Sequence, residues 1–121
     1  MTHEIYREHI LELFKSPHNF GELKKKTHSH FQDNPLCGDE MKIDLIIDRN
    51  KVKDVKFSGK GCAISMASAS LLTDKIKDLS INEIKKLNEN DILQMLMIPV
   101  GPTRIKCALL PLDAINKALD K

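Results

Sequence analysis

Cys37 precedes Asp39 by two positions in the stretch Asn34-Pro35-Leu36-Cys37-Gly38-Asp39. A thiolate and a carboxylate this close repel each other unless a cation lies between them. Two further cysteines, Cys62 and Cys107, complete the three thiols of the chain. Cys62 follows Gly59-Lys60-Gly61 at the mouth of an expected helix, and Cys107 stands near the start of the last one. A thiol at a helix N-terminus meets free N–H groups and the positive end of the dipole. Both favour the thiolate, the form that ligates metals and attacks as a nucleophile. Three thiols and Asp39 together offer four soft or anionic ligands, enough for a tetrahedral metal site. The separations of 25 and 45 residues are far from zinc-finger spacing, so spacing alone identifies no metal. Free cysteine is also among the most buried residue types, and each thiol taken singly reads as well as packing. Gly38, Gly59 and Gly61 suit either ordinary turns or a close backbone approach to an ion.

The elements that must position these groups follow from periodicity. Thr2 caps a first helix with Ile5, Tyr6, His9, Ile10, Leu13 and Phe14 on one face, and Ser16-Pro17 ends it. Residues 17–36 hold Gly21, two prolines, three histidines and Lys24-Lys25-Lys26, and read as a long loop. From Met41 the period becomes two: Met41, Ile43, Leu45 and Ile47 point one way, Lys42 and Asp44 the other. Asp48 to Lys51 turns the chain into a second strand around Val55 and Phe57, making a hairpin. The segment before Cys37 leaves a third strand open. A small-residue helix follows Cys62, a capping box at Ser80-Ile81-Asn82-Glu83 starts a short helix through Leu87, and Asp91 to Met97 form another. The last helix spans Cys107 to Leu119, with Pro111 in its first turn. Strands in the middle with helices on both flanks make an α+β fold, in one domain over residues 1–121.

Bulk properties exclude several function classes. Nineteen basic and 17 acidic residues leave a net charge of +2, and five aromatics give little for stacking bases, so nucleic acid is not an expected partner. The Lys24–Lys26 run reads as a solvated loop or a docking point for an acidic partner. No stretch approaches the roughly 20 apolar residues of a membrane span. Met1-Thr2-His3-Glu4 is not the basic start of a secretory signal. A cytoplasmic location follows as the expectation, and reduced thiols there favour ligand or nucleophile roles over disulfides.

At this point the motifs are similar to a known family. The stretches NPLCGD, GKGCAISMASASLLTD and RIKCALL, with the opening IYREHILELFKSPHNFGEL, resemble the IscU/SufU/NifU N-terminal iron–sulfur cluster assembly proteins along nearly the whole chain. The resemblance implies a three-stranded antiparallel sheet packed on one side by helices, with the cysteine loops gathered at one end. It implies Cys37, Asp39, Cys62 and Cys107 as the ligands of zinc, iron or a transient [2Fe–2S] cluster, with Cys107 as the first sulfur acceptor. It also implies a cysteine desulfurase as sulfur donor, apo iron–sulfur proteins as recipients, no membrane partner, and a monomer or weak dimer. Such a protein is a scaffold rather than an enzyme, or a zinc-dependent sulfurtransferase if it is of the SufU type.

Two departures bear on that choice. IscU-type scaffolds carry a histidine just before the third cysteine, where this chain has Lys106, and a protonated lysine has no lone pair for a metal. RIKCA resembles the SufU type, yet the chain is too short before Cys107 for the long SufU insertion. The leucine-proline-proline-valine-lysine segment that docks the chaperone of IscU-type proteins is represented only by Ile98-Pro99-Val100-Gly101. Arg104 and Lys106 are cations available to a thiolate or persulfide at Cys107, or else a solvated helix end. His18, His28 and His30 are not expected as ligands, and Met95 and Met97 read as core or interface filler.

Overall fold

Period-two apolarity builds the centre of the molecule. The computed structural model describes residues 2–35 and 38–120, with side chains from residue 7 onward. Three strands, β1 (His28–Asn34), β2 (Asp39–Asp48) and β3 (Lys51–Lys60), form an antiparallel sheet with β2 in the middle. Five helices complete the fold: α1 (Thr2–Lys15), α2 (Ala63–Ile76), α3 (Ile81–Lys85), α4 (Glu89–Leu96) and α5 (Ile105–Leu119). Met41, Ile43 and Leu45 of β2 and Val52, Val55 and Phe57 of β3 face the helices and are buried. The expected row of β2 stops at Leu45, because a register shift between Ile46 and Ile47 leaves Ile47 only half-buried.

The third strand lies inside the segment expected to be a loop. β1, His-Ser-His-Phe-Gln-Asp-Asn, has one apolar residue, Phe31, and that side chain is exposed. Its strand character comes from pairing with β2, Phe31 opposite Lys42 and Asn34 opposite Asp39, rather than from its own pattern. The remaining irregular stretch, residues 17–27, is fastened at both ends. Asn19, at φ +60°, donates to Thr73 Oγ1 (2.9 Å) and Asp74 Oδ1 (2.8 Å), and His18 Nδ1 lies 2.6 Å from Asp74 Oδ2. Farther on, the Asp44 carboxylate accepts the Leu23 N–H (3.1 Å) and the Ser29 hydroxyl (2.8 Å). Asp44 thus points away from the helices as its period requires, yet only 1% of it is exposed.

Small residues let α2 sink between α1 and α5 and against β3, with Ser65, Ala67, Ser68, Ala69 and Ser70 all buried. Ser68 Oγ donates to the Ala108 carbonyl at 2.7 Å and ties α2 to α5. The face of α1 is narrower than expected: Ile10 and Leu13 are buried, but Phe14 is 43% exposed. The Ser80–Glu83 capping box starts α3, which ends at Lys85 rather than Leu87. An Asn88–Asp91 box starts α4 two residues ahead of Asp91, and Met97 closes it at φ +60°, exposed rather than in the core. α5 begins two residues ahead of Cys107, so Pro111 stands in its interior and not in its first turn. Proline has no N–H to offer the carbonyl four residues back, which here is that of Cys107.

Candidate metal and sulfur site

The site forms where β2 begins and where α2 and α5 begin. Gly38, at φ +75°, donates its N–H to the Asn34 carbonyl (2.8 Å), and the chain enters β2 directly at Asp39. Cys37 lies outside the described residues. Cys62 is the residue preceding α2, in extended conformation, and offers no side-chain cap. Its backbone N–H donates instead to Asp39 Oδ1 at 3.2 Å. The other oxygen, Asp39 Oδ2, is buried and has no hydrogen-bond partner among the described residues. Cys107, third residue of α5, is 1% exposed. Ligand atoms of Asp39, Cys62 and Cys107 all lie within 4.8 Å of one another.

A glycine and a serine hold this geometry. A Cβ on Gly61 would stand 2.3 Å from Ser65 Oγ and 3.2 Å from Asp39 Cγ, so only glycine admits both neighbours. Ser65 is fully buried; its hydroxyl donates to the Cys62 carbonyl (3.1 Å) and lies 3.8 Å from Cys62 Sγ. Arg104, just ahead of α5 and exposed, stands beside Cys62 and Cys107. Charge attraction to the Cys62 sulfur above all, with hydrogen bonding toward Cys107 and Cys62, raises the guanidinium pKa above its ordinary value. Lys106 lines an adjoining cleft of about 240 Å³ with Asn34, Pro35 and Asp113.

The donor set fits a metal. A buried carboxylate oxygen with no donor costs about 1–3 kcal/mol or more unless a proton or cation answers it. Two sulfurs within reach make that cation a thiophilic one, zinc or iron. The histidines go elsewhere: His18 to Asp74, His28 to Thr27, and His30 to Gln32, whose amide reaches Asp113 on α5. Asp39, Cys62 and Cys107, all anticipated from the sequence, come together. Ser65 and the double contact of Arg104 were not anticipated. A serine three residues after Cys62 blends into a helix full of serines and alanines, and only its burial against Cys62 distinguishes it.

Comparison with known proteins bears on the family and the fold. The profile of the NifU-like N terminal domain matches residues 5–121. The chain belongs to that family. It is 39% identical over 119 residues to the iron–sulfur cluster assembly enzyme IscU of Drosophila melanogaster, covering 95% of this chain and 76% of the relative. It is 34% identical to the zinc-dependent sulfurtransferase SufU of Bacillus subtilis, covering 97% and 90%. That alignment runs over 134 positions, more than the 121 residues of this chain, so SufU carries segments absent here. In structure, SufU of Fervidobacterium islandicum AW-1 superposes with a TM-score of 0.81 at 30% identity, covering 98% of this chain and 99% of the other. The α+β fold and the family resemblance both hold. Among the described residues, no helix is long and apolar enough to cross a membrane.

Proposed function

We propose that this NifU-like domain is an iron–sulfur cluster assembly scaffold, taking sulfur from a cysteine desulfurase, assembling a [2Fe–2S] cluster and passing it to apo-proteins. The observation that carries this reading is the convergence of Cys62, Cys107 and the unsatisfied Asp39 Oδ2 at one place. Cys37, two residues before Asp39, supplies the fourth ligand. Sulfur enters when the Cys107 thiolate attacks the outer sulfur of the donor's persulfide. A new S–S bond forms at Cys107, the old one breaks, and the donor cysteine leaves as a thiolate. Arg104, already in contact with Cys62 and Cys107, offsets the negative charge of the new persulfide. Iron and sulfur are then cargo. Thiolates hold iron firmly, whereas the harder Asp39 oxygen makes a weaker bond, and that weakness favours release. Asp39→Ala is therefore expected to lengthen the lifetime of the bound cluster, followed as visible absorbance during transfer to apo-ferredoxin. Faster loss than in wild type overturns the labile-ligand reading.

A second reading, a zinc-dependent sulfurtransferase, is favoured by Lys106 in place of a ligating histidine and by the similarity to the Bacillus subtilis protein. Cys37, Asp39, Cys62 and Cys107 would then hold zinc, which keeps the thiolates protected and structurally fixed. Arg104 would again steady the persulfide. Anaerobic reconstitution with iron, cysteine and desulfurase separates the two. A chromophore transferable to an apo-protein supports the scaffold, and retained zinc with a persulfide on one cysteine supports the transferase.

A further inference from the structure

The outer face of the sheet has no part in the chemistry above, and at one end of it lysines outnumber carboxylates. At the end where Ile46 pairs with Asp54, a cleft of about 430 Å³ opens between Lys25, Lys26, Thr27, Ile46, Lys53 and Asp54. Three lysines line it with one acid, Asp54, whose carboxylate accepts the Val55 N–H at 2.8 Å. Lys25 and Lys53 are exposed, while Lys26 reaches the buried Asp44 at 3.5 Å. Ile46, half-buried, gives the cleft an apolar floor.

We propose that this cleft docks a carboxylate-rich segment of a partner protein, with acidic side chains on the exposed Lys25 and Lys53 and an aliphatic one over Ile46. Charge complementarity selects the acid, and like charge repels basic competitors. Nucleic acid fits less well: Asp54 sits within the cleft, only five aromatics exist in the chain, and the net charge is +2. Ile46 lies seven residues along β2 from Asp39, or roughly 23 Å at about 3.3 Å per residue. A partner seated there lies away from the Cys62 and Cys107 end of the fold, so acidic partner and sulfur donor can be held at once.

The test is a titration of the ¹⁵N-labelled full chain with a blocked hexapeptide of alternating glutamate and leucine, at low salt. Amide shifts are expected at Lys25 to Thr27, Ile46, Lys53 and Asp54, with affinity falling as salt rises. Lys25→Glu with Lys53→Glu should weaken binding about tenfold or more, whereas Lys15→Glu with Lys75→Glu, an equal change of net charge on exposed helix positions, should change it by about twofold or less. Equal losses in both double variants, or shifts centred elsewhere, overturn the proposal. A short oligothymidylate that binds the cleft more tightly than the peptide also overturns it and assigns the surface to nucleic acid.

Discussion

At the scale of single residues, the site depends on what is missing at position 61 as much as on what is present at 39, 62 and 107. Gly61 lets Ser65 and Asp39 approach Cys62 from two sides at once, and a methyl group there overlaps the serine oxygen at 2.3 Å. Gly61→Ala should therefore lower stability by about 1–3 kcal/mol in urea denaturation, as overpacking does, and weaken zinc binding measured by chelator competition. Removing the obstacle in Gly61→Ala/Ser65→Ala should recover part of both losses. Asp39, Cys62 and Cys107 could be singled out as candidates because cysteines at junctions and an adjacent carboxylate stand out in a sequence. The full ligand set came from the family resemblance and not from spacing. Their supports were less legible. Ser65 stands only three residues from Cys62 but is one serine among several in α2. Arg104, read as a cation for Cys107, comes near Cys62 only because the fold packs α2 against α5.

At the scale of elements, legibility follows how much of an element's cause is local. β2 and β3 were evident from their alternation, and α3 from its Ser80–Glu83 box. β1 was not evident, since six of its seven residues are polar and its partner supplies the reason to be extended. The start of α5 was misplaced because Pro111 argued for a first-turn position, whereas burial of Leu110, Pro111 and Leu112 holds the helix together through it. The β2–β3 turn is a further case. Arg49 and Asn50 have φ of +53° and +66°, the pair of left-handed residues that a two-residue hairpin requires. Arginine bears that conformation at a cost of about 1 kcal/mol. Arg49→Asn with Asn50→Gly is expected to stabilise the fold by about 0.5–1.5 kcal/mol, read as a shift in the urea midpoint with unchanged slope.

At the scale of the whole molecule, the loop over residues 17–27 closes the sheet edge by latching onto α2. Burial alone would raise the Asp74 pKa, but hydrogen bonds from His18 and Asn19 and the charges of His18 and Lys77 outweigh it and leave the pKa below 3.8. Between the two values the unfolded chain binds more protons than the folded one, so this stabilisation is complete above pH 3.8 and is lost as pH falls through the folded value. Glu83 in the α3 capping box is shifted the same way, with the Ser80 backbone N–H as the main cause. The difference between the urea midpoints of wild type and Asp74→Asn should consequently be present above pH 3.8 and shrink as pH falls below it.

Pro111 has an effect on motion as well. Because the amide ladder skips one rung there, the turn that carries Cys107 is fastened to the remainder of α5 less tightly than one helical turn normally is to the next. On the proposed reading, a Cys107 with 1% exposure has to come outward to take up sulfur, and this break allows it to do so while Ile115 and Leu119 stay embedded. Native-state deuterium uptake is expected to be about tenfold faster at Leu109 and Leu110 than at Ile115 and Ala118. The half of the helix that carries Cys107 would then breathe independently of the half that anchors it.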